Sequence, residues 1–245
     1  MKNIIFSFDD GLIDFYENVF PILKKYNIKA TLNIITGFSD KTVKTEYDCC
    51  SISQLQEMLD YGIELTNHSD AHLCPEKLSG YDKAQKKLCQ WFPNAGIKGV
   101  VTPYTQSVPD NFYNWCKQND IKYVRLGDTE SLKPIQRCLT KTRIVSRFRL
   151  YCHNNSHYSK YRGILVINSI PIFSNKPVEY YTRIISLCHF RPNITFFFHS
   201  IVKNESEIEK CIYPETAWTV SKFEELIKWI INSGYKICTQ IETIM

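Results

Sequence analysis

The chain has 245 residues, of which 44% are apolar and 22% are charged, and its formal net charge is +5. This length and apolar content are sufficient for one large hydrophobic core, and α/β barrels often occupy such a length as a single domain. The charge excess is mild and the basic residues are spread along the chain, which argues against a nucleic-acid-binding protein. No stretch reaches the roughly 18 consecutive apolar residues that indicate a membrane-spanning helix.

The N-terminus does not have the pattern of a secretory signal peptide. Met1 and Lys2 lead directly into a strand-like segment, without an apolar core region and a small-residue cleavage site. We therefore expect a cytoplasmic protein whose ten cysteines are reduced. None of these cysteines belongs to a Cys-x-x-Cys pair, so they predict neither a zinc knuckle nor a thioredoxin-type site.

Strand-like and helix-like segments alternate along the chain. In chain order, the pattern predicts a strand at residues 3–8, a helix at 14–26, a strand at 30–35, a helix at 53–61, a strand at 63–67, a helix at 81–92, a strand at 99–102, a helix at 110–119, strands at 121–125 and 163–167, a helix at 178–189, a strand at 194–198, a helix at 220–233 and a strand at 235–239. Pro21 is expected to kink or divide the first helix. Ser51 or Ser53 should cap the second helix, which Gly62 ends.

This alternation, with strands that are almost wholly apolar, indicates a parallel sheet covered on both faces. Seven or eight βα units favour a closed barrel over an open sheet. We therefore predict a single α/β domain over residues 1–245, built as a (β/α)7–8 barrel. Residues 126–162 show no clear period and are expected to form an insertion or a pair of irregular strands.

Candidate functional residues follow four of the predicted strands, where the chemistry of a parallel barrel gathers. In chain order they are Asp9, Asp10 and Gly11, then His68 and His72, then Pro103 and Tyr104, and finally His199. Two adjacent carboxylates at the end of a buried strand repel each other, so a positive partner or a bound proton is expected beside them.

A metal ion would be such a partner. His68 and His72 are four residues apart, so that on one helical turn both rings would face the same way and could share a metal. One carboxylate of the Asp9-Asp10 pair would complete three protein ligands and leave a position open for water or substrate. The other carboxylate could act as a general base.

Each of these motifs also has an ordinary structural explanation. Asp-Asp-Gly after a strand is usually a turn, an isolated His-x-x-x-His is more often a solvated or core pair, and His199 by itself would be a core histidine. Their joint placement at the ends of different strands favours a functional site. His153 and His157 repeat the spacing but lie in a polar tract, so we interpret them as loop residues, and His189 is expected to cap a helix.

Three stretches carry a resemblance to a known family. Ser7-Phe8-Asp9-Asp10-Gly11 is similar to a T-F-D-D-G motif, residues 21–31 are similar to the segment before that family's second strand, and residues 62–72 match a G-x-E-x-x-x-H-[ST]-x-x-H pattern. In these features the chain resembles the polysaccharide deacetylases, the NodB-homology enzymes or carbohydrate esterase family 4. The similarity covers the first 72 residues well and later residues only at motif points.

The resemblance implies a distorted (β/α) barrel and metal-dependent removal of an N-acetyl group from an amino-sugar-containing substrate. It implies that Asp9 is the base and that Asp10, His68 and His72 hold a divalent metal, for which we expect zinc, with cobalt, nickel, manganese and iron as alternatives. By the same resemblance, the Tyr104 backbone N–H would stabilise the oxyanion, and His199 would protonate the leaving amine.

The third and fourth motifs depart from the family pattern. The third is often R-P-P-Y-G, whereas this chain has Val101-Thr102-Pro103-Tyr104-Thr105, which lacks both the arginine and the glycine. No D-x-x-D-W-like fourth motif is visible. Arg143 is our candidate for the positive partner of Asp9. The substrate groove is therefore expected to be unusual.

Other functions stay open at this point. They are a metal hydrolase of another non-peptide C–N bond such as a formamide or a cyclic ureide, an inactive glycan-binding relative, and a non-haem iron oxygenase, since two histidines and one carboxylate also suit iron. The usual scaffold of that iron site is an all-β barrel. A cytoplasmic location would favour a nucleotide-linked sugar, a lipid-linked precursor or a small glycoside over an extracellular polymer.

Overall fold

The computed structural model describes residues 2–105, 108–127, 148, 152, 154, 156, 158–188 and 190–244. Its strands are β1 (Asn3–Phe8), β2 (Thr31–Ile34), β3 (Glu64–Asn67), β4 (Gly99–Val101), β5 (Tyr123–Leu126), β6 (Tyr158–Tyr161), β7 (Ile164–Asn168), β8 (Ile170–Pro171), β9 (Asn193–Phe198), β10 (Ile201–Val202), β11 (Trp218–Thr219) and β12 (Lys236–Cys238). Its α-helices within these residues are α1 (Phe20–Tyr26), α2 (Thr36–Ser39), α3 (Ile52–Tyr61), α4 (Leu78–Trp91), α5 (Asp110–Gln118), α6 (Val178–Leu187) and α7 (Val220–Asn232).

The strands form a barrel that closes through one bent stretch of chain. They lie in the order β7, β5, β4, β3, β2, β1, β9 and β8, and all these neighbours are parallel. Although β7 and β8 stand at opposite ends of this series, only Ser169 separates them in the chain. Residues 164–171 therefore pair with β5 at their start and with β9 at their end. This closure gives seven strand positions and confirms the predicted α/β barrel.

The barrel is distorted beside β1. This strand pairs with β2 only at Ser7 and Phe8, whereas its first three residues pair with β12. Because β9 occupies the other edge of β1 along its whole length, β12 fills the lower part of the gap between β1 and β2. The antiparallel strand β6 extends the sheet beyond β7 and falls in the stretch without a clear sequence period.

Alternation along β1 directs Phe6 and Phe8 to an apolar outer face and Ser7 to the inside of the barrel. The rings of Phe6 and Phe8 pack between the barrel and α7. The centroids of Phe8 and Phe198 are 4.7 Å apart, and those of Phe6 and Phe223 are 5.3 Å apart. These four side chains are fully buried or nearly so, and they anchor α7 on the outside of the barrel.

The inner face of the same strands carries a column of polar side chains. Asn33 of β2 donates to Ser7 Oγ at 2.9 Å and to Asp9 Oδ1 at 2.6 Å. Thr66 of β3 donates to Asn33 Oδ1 at 2.5 Å. All of these residues are buried, so their polar atoms satisfy one another inside the barrel. The column ends at the carboxylate of Asp9 and thereby orients it.

The helix boundaries agree with the predicted signals to within a few residues. The first predicted helix is divided, as the position of Pro21 suggested: a π-helical turn, Phe15–Val19, precedes α1, and Pro21 lies in the first turn of α1. Ser51, rather than Ser53, caps α3 through a capping box with Gln54. Gly62 ends α3 with a left-handed φ of 106°. No helix in the described ranges has both the length and the apolar character needed to cross a membrane.

The two serines before α3 provide a direct test of this helix start. Ser51→Ala removes the side chain that accepts from the Gln54 backbone N–H, so the free energy of unfolding should fall by about 1 kcal/mol. Ser53→Ala is the matched control and should lower the free energy of unfolding clearly less. Urea denaturation measures both values. Equal losses in the two variants would contradict the assignment of Ser51 as the cap.

Candidate active site

The residues predicted from the four strand ends converge on one cleft. It has a volume of about 370 Å³ and lies where the carboxyl ends of β1, β3, β4 and β9 meet. The cleft is lined by side chains that include Asp9, His68, His72, Tyr104 and His199. Asp10 contacts the two histidines at its floor. Arg143, the remaining predicted site residue, lies outside the described residues.

A left-handed turn after β1 brings both aspartates to the cleft. The φ of Asp10 is 73° and that of Gly11 is 70°. On a straight strand Asp9 and Asp10 would point to opposite faces, whereas this turn directs both carboxylates to the mouth of the barrel. Glycine adopts such a φ without steric cost, and here Asp10 adopts it beside Gly11.

Asp10, His68 and His72 form a group that can hold a metal ion. Asp10 Oδ1 is 3.3 Å from His68 Nε2 and 3.5 Å from His72 Nε2, and the three ligand atoms all lie within 4.8 Å of one another. Asp10 Oδ1 is buried and has no hydrogen-bond partner among the described residues. This carboxylate oxygen and the two histidine nitrogens beside it form a set of three ligand atoms that fits a divalent cation.

Both histidines direct Nε2 toward this point because Nδ1 is engaged elsewhere. His68 Nδ1 is 2.9 Å from the Val101 carbonyl oxygen, which can only accept, so His68 carries its proton on Nδ1. His72 Nδ1 is 2.9 Å from the Tyr104 hydroxyl. Such outer contacts fix the tautomer and ring orientation of metal-binding histidines. The Tyr104 side chain thus contacts one of the two histidines directly.

The predicted helical turn between His68 and His72 is wrong. Residues 68–72 form a loop in which Ser69 has a φ of 67° and His72 a φ of 54°. The rings nevertheless come together, with centroids 5.1 Å apart. Tertiary contacts of the loop, rather than helical geometry, produce the shared orientation.

Asp70 anchors this loop from its middle. Its carboxylate accepts from Thr36 at 2.8 Å and pairs with Lys83 at 2.6 Å and Lys87 at 2.7 Å. Gly37 lies so close that a Cβ atom there would be 2.3 Å from the Asp70 carbonyl oxygen. Helices α2 and α4 therefore hold the loop that carries both histidines.

The surroundings of the three candidate ligands shift their pKa values in different directions. Burial would raise the pKa of Asp10, but its interaction with His68 and the charges of the nearby histidines lower the pKa to about 2. Burial and repulsion from His68 lower the pKa of His72 to about 4. Burial opposes the charged form of His68, yet Asp10 and Asp9 raise its pKa. A carboxylate and a neutral His72 are the forms that bind metal.

Asp9 has a separate set of partners. Arg125 Nη2 lies 2.5 Å from Asp9 Oδ1 and 2.6 Å from Oδ2, and Asn33 donates to Oδ1. Arg125 also donates through Nη1 to Ser169 Oγ at 2.9 Å, and its guanidinium lies 4.9 Å from the centroid of the Phe197 ring. Sequence reasoning did not identify Arg125 or Asn33. The signal available for each of them was its polar side chain at an inward-facing position of a mostly apolar strand.

His199 follows β9 and also lines the cleft. Its Nδ1 is 2.8 Å from the Thr216 hydroxyl, and its ring centroid is 4.5 Å from that of Tyr213. Thr216 and Tyr213 were not predicted as site residues, because the segment around them shows no recognisable motif.

Residues 1–122 match the family model described as polysaccharide deacetylase. The chain belongs to the polysaccharide deacetylase family. The putative polysaccharide deacetylase YxkH of Bacillus subtilis (strain 168) is 34% identical over 87 residues, which are 35% of this chain and 28% of that protein. The poly-beta-1,6-N-acetyl-D-glucosamine N-deacetylase of Staphylococcus aureus (strain MRSA252) is 40% identical over 124 residues, 49% of this chain and 43% of that protein.

This member of the family therefore spans less than half the length of these two relatives. Solved structures extend the similarity of fold over nearly the whole chain. A family 4 acetyl xylan esterase from Clostridium thermocellum, in complex with a cobalt ion, matches 98% of this chain and 89% of that chain, with a TM-score of 0.55 and 15% identity. A CE4 family pseudoenzyme from Bacillus anthracis matches 98% of this chain and 64% of that chain, with a TM-score of 0.56 and 12% identity.

The two neighbouring aspartates should differ in their effect on metal. Asp10→Asn removes an anionic ligand, so metal affinity should fall, with partial recovery of metal loading at high metal concentration. Asp9→Asn should retain metal and lose turnover by roughly 10²–10⁴-fold, the scale of a general base. Isothermal titration calorimetry with Zn²⁺ measures the metal affinity of each variant, and a turnover assay on the same samples distinguishes the two effects.

Asp9→Asn also leaves the buried Arg125 without a counter-charge, which is expected to cost roughly 3–5 kcal/mol of stability. Both variants must therefore be measured at a temperature at which circular dichroism shows them folded. Loss of metal from Asp9→Asn together with full loading of Asp10→Asn would reverse the two roles.

The Tyr104 hydroxyl provides a second test. Tyr104→Phe removes the partner of His72 Nδ1 while keeping the ring and the backbone N–H, so metal affinity should fall by roughly 10–100-fold. Tyr47→Phe removes an exposed tyrosine hydroxyl and is the matched control. Equal metal affinities in the two variants would exclude a role for the Tyr104 hydroxyl in orienting His72.

Proposed function

We propose that this protein is a metal-dependent hydrolase that removes an N-acetyl group from an amino-sugar-containing substrate. The observation that carries the proposal is the convergence of Asp10, His68 and His72 within 4.8 Å, in a cleft that also contains Asp9 and His199. A metal site beside which lie a second carboxylate and a second imidazole, neither of them in the group of three ligands, provides both a base and an acid for amide hydrolysis.

The family relationship supports the reaction and the substrate class. The Staphylococcus aureus relative is named for the deacetylation of poly-beta-1,6-N-acetyl-D-glucosamine, so an N-acetylated sugar, glycan or sugar conjugate is the proposed substrate. For the metal we propose zinc, because two imidazole nitrogens and a carboxylate oxygen with an open position are typical of catalytic zinc. The cobalt ion in the Clostridium thermocellum esterase makes cobalt the first alternative, followed by nickel, manganese and iron.

The residues of this chain divide the work of hydrolysis. When bound, a divalent metal supplies Lewis-acid polarisation of the amide carbonyl and activation of water. Asp9 takes the proton from the attacking water, and Arg125 and Asn33 hold its carboxylate in place. The backbone N–H of Tyr104 donates to the developing oxyanion. His199 gives a proton to the amine nitrogen as the C–N bond breaks, which releases acetate and the free amine.

The cleft beside these residues suits a sugar. Its walls include the rings of Tyr104, Phe173 and Tyr213, and Tyr104 is 59% exposed. Aromatic side chains offer an apolar face with a polar edge, which matches the alternating C–H and O–H surface of a pyranose ring. The parallel α/β barrel counts against the iron oxygenase alternative, whose usual scaffold is all-β.

Acetate release from a panel of substrates tests the proposal. The panel holds N-acetylglucosamine oligomers with β-1,6 and β-1,4 linkages, a nucleotide-linked N-acetyl sugar, a formamide and a cyclic ureide. We expect acetate release from at least one N-acetyl sugar. Chelation of the metal should abolish this activity, and added Zn²⁺ or Co²⁺ should restore it. The His72→Ala variant should lack the activity. Hydrolysis of only the formamide or the ureide would assign the alternative C–N hydrolase. Metal binding and glycan binding without turnover would assign an inactive glycan-binding protein.

A further inference from the structure

The ring of His199, the proposed acid, contacts a residue 17 positions further along the chain. His199 Nδ1 lies 2.8 Å from Thr216 Oγ1, and Thr216 is buried at the end of the 3-10 turn Pro214–Thr216. The same hydroxyl lies 3.3 Å from the carbonyl oxygen of Tyr213. Within the described ranges, the His199 ring makes its hydrogen bond to this hydroxyl, and the hydroxyl makes its hydrogen bonds to His199 and to the Tyr213 carbonyl.

The chemistry of the three groups determines the direction of these hydrogen bonds. The Tyr213 carbonyl can only accept, so the Thr216 hydroxyl donates to it when both contacts are made. Its oxygen is then free to accept from His199, which must carry a proton on Nδ1. In the protonated imidazole both ring nitrogens are donors, and Thr216 Oγ1 is again the acceptor for Nδ1. The arrangement leaves Nε2 as the atom that exchanges a proton with the cleft.

The position of Thr216 is fixed by contacts of the residues that follow it. The strand pair β10 and β11 joins the residues after His199 to those after Thr216, with Ile201 beside Trp218 and Val202 beside Thr219. The Trp218 backbone N–H donates to the Ser200 carbonyl at 2.9 Å, and the fully buried Trp218 ring donates to the Phe173 carbonyl at 3.0 Å. The strand pair and the hydrogen bonds of Trp218 therefore fix the distance between His199 and Thr216.

We propose that Thr216 is the positioning residue of the general acid: it holds the proton of His199 on Nδ1 and directs Nε2 toward the leaving group. The inference rests on the proposed deacetylation. When the tetrahedral intermediate collapses, the electron pair of the C–N bond goes to nitrogen, which takes the Nε2 proton. The neutral imidazole that remains keeps its other proton on Nδ1, and Nδ1–H donates a hydrogen bond to Thr216 Oγ1.

This role has a consequence for the choice of substrate. An amine leaves only after it gains a proton, so hydrolysis of an amide depends on the acid. The phenolate of p-nitrophenyl acetate leaves without one, so hydrolysis of that ester depends on the metal and Asp9 but little on His199. The ratio of amide to ester turnover is therefore a direct measure of how well the acid is positioned.

The test compares Thr216→Val, which has the shape of threonine without the hydroxyl, with Thr216→Ser, which keeps the hydroxyl. Thr216→Val should lower kcat for the N-acetyl sugar by roughly 10–10³-fold, a part of the full effect of a general acid, with KM and metal content unchanged. Ester turnover should fall by about threefold at most, and Thr216→Ser should restore most amide turnover. His199→Ala should show the same selective loss, whereas Asp9→Asn should lose both activities.

The tautomer itself is measured by ¹⁵N NMR of the His199 ring in the metal-free protein, and this result does not depend on any activity. Neutral His199 should be protonated on Nδ1 in the unaltered chain and in Thr216→Ser, and should gain the Nε2 form in Thr216→Val. An unchanged tautomer together with an unchanged amide-to-ester ratio would overturn the proposal. If Thr216→Val does not fold, Thr216→Ala gives the same comparison. Failure of every N-acetyl sugar as a substrate would remove the deacetylase function, while the tautomer would still show whether Thr216 orients the ring.

Discussion

The site depends on the buried ion pair between Asp9 and Arg125. The two residues are 116 positions apart, Asp9 directly after β1 and Arg125 on β5, and their side chains meet inside the barrel. Taking two charges out of water is costly unless further hydrogen bonds satisfy them, and here Asn33 and Ser169 provide those bonds. Ser169 is also the residue at which the barrel closes. The same network therefore joins the proposed base to the closure of the sheet.

The loops at the mouth are held in unfavourable backbone conformations. Asp10, Ser69, His72 and Tyr104 all have a positive φ; the first three belong to the two loops that carry the metal-binding group, and Tyr104 belongs to the loop that contacts His72. Such conformations persist only where the surrounding contacts determine them. The bonds of Asp70 to helices α2 and α4 supply such contacts for the histidine loop. Rigidity of this kind keeps the three ligand atoms close together even though their charges and dipoles partly repel.

Neighbouring residues in the sequence obtain different chemistry from different partners. Asp9, the proposed base, faces a guanidinium and an amide, which orient its carboxylate. Asp10 faces two histidine nitrogens, and they lower its pKa to about 2, so that it is available as an anionic ligand. The two histidines likewise differ, since Val101 fixes one tautomer and Tyr104 orients the other ring. The division of labour between like side chains is thus a property of their surroundings.

The sequence by itself determined the alternation of strands and helices, the α/β barrel, and the positions of Asp9, Asp10, His68, His72, Tyr104 and His199 at strand ends. These features depend on local periodicity and short motifs, which a single sequence displays. Only the tertiary structure decided that residues 68–72 form a loop, that Arg125 pairs with Asp9, and that Thr216 contacts His199. The loop depends on the contacts of Asp70 with two helices, and the two pairings join residues 116 and 17 positions apart. Local pattern carries no information about which side chains meet once the barrel closes.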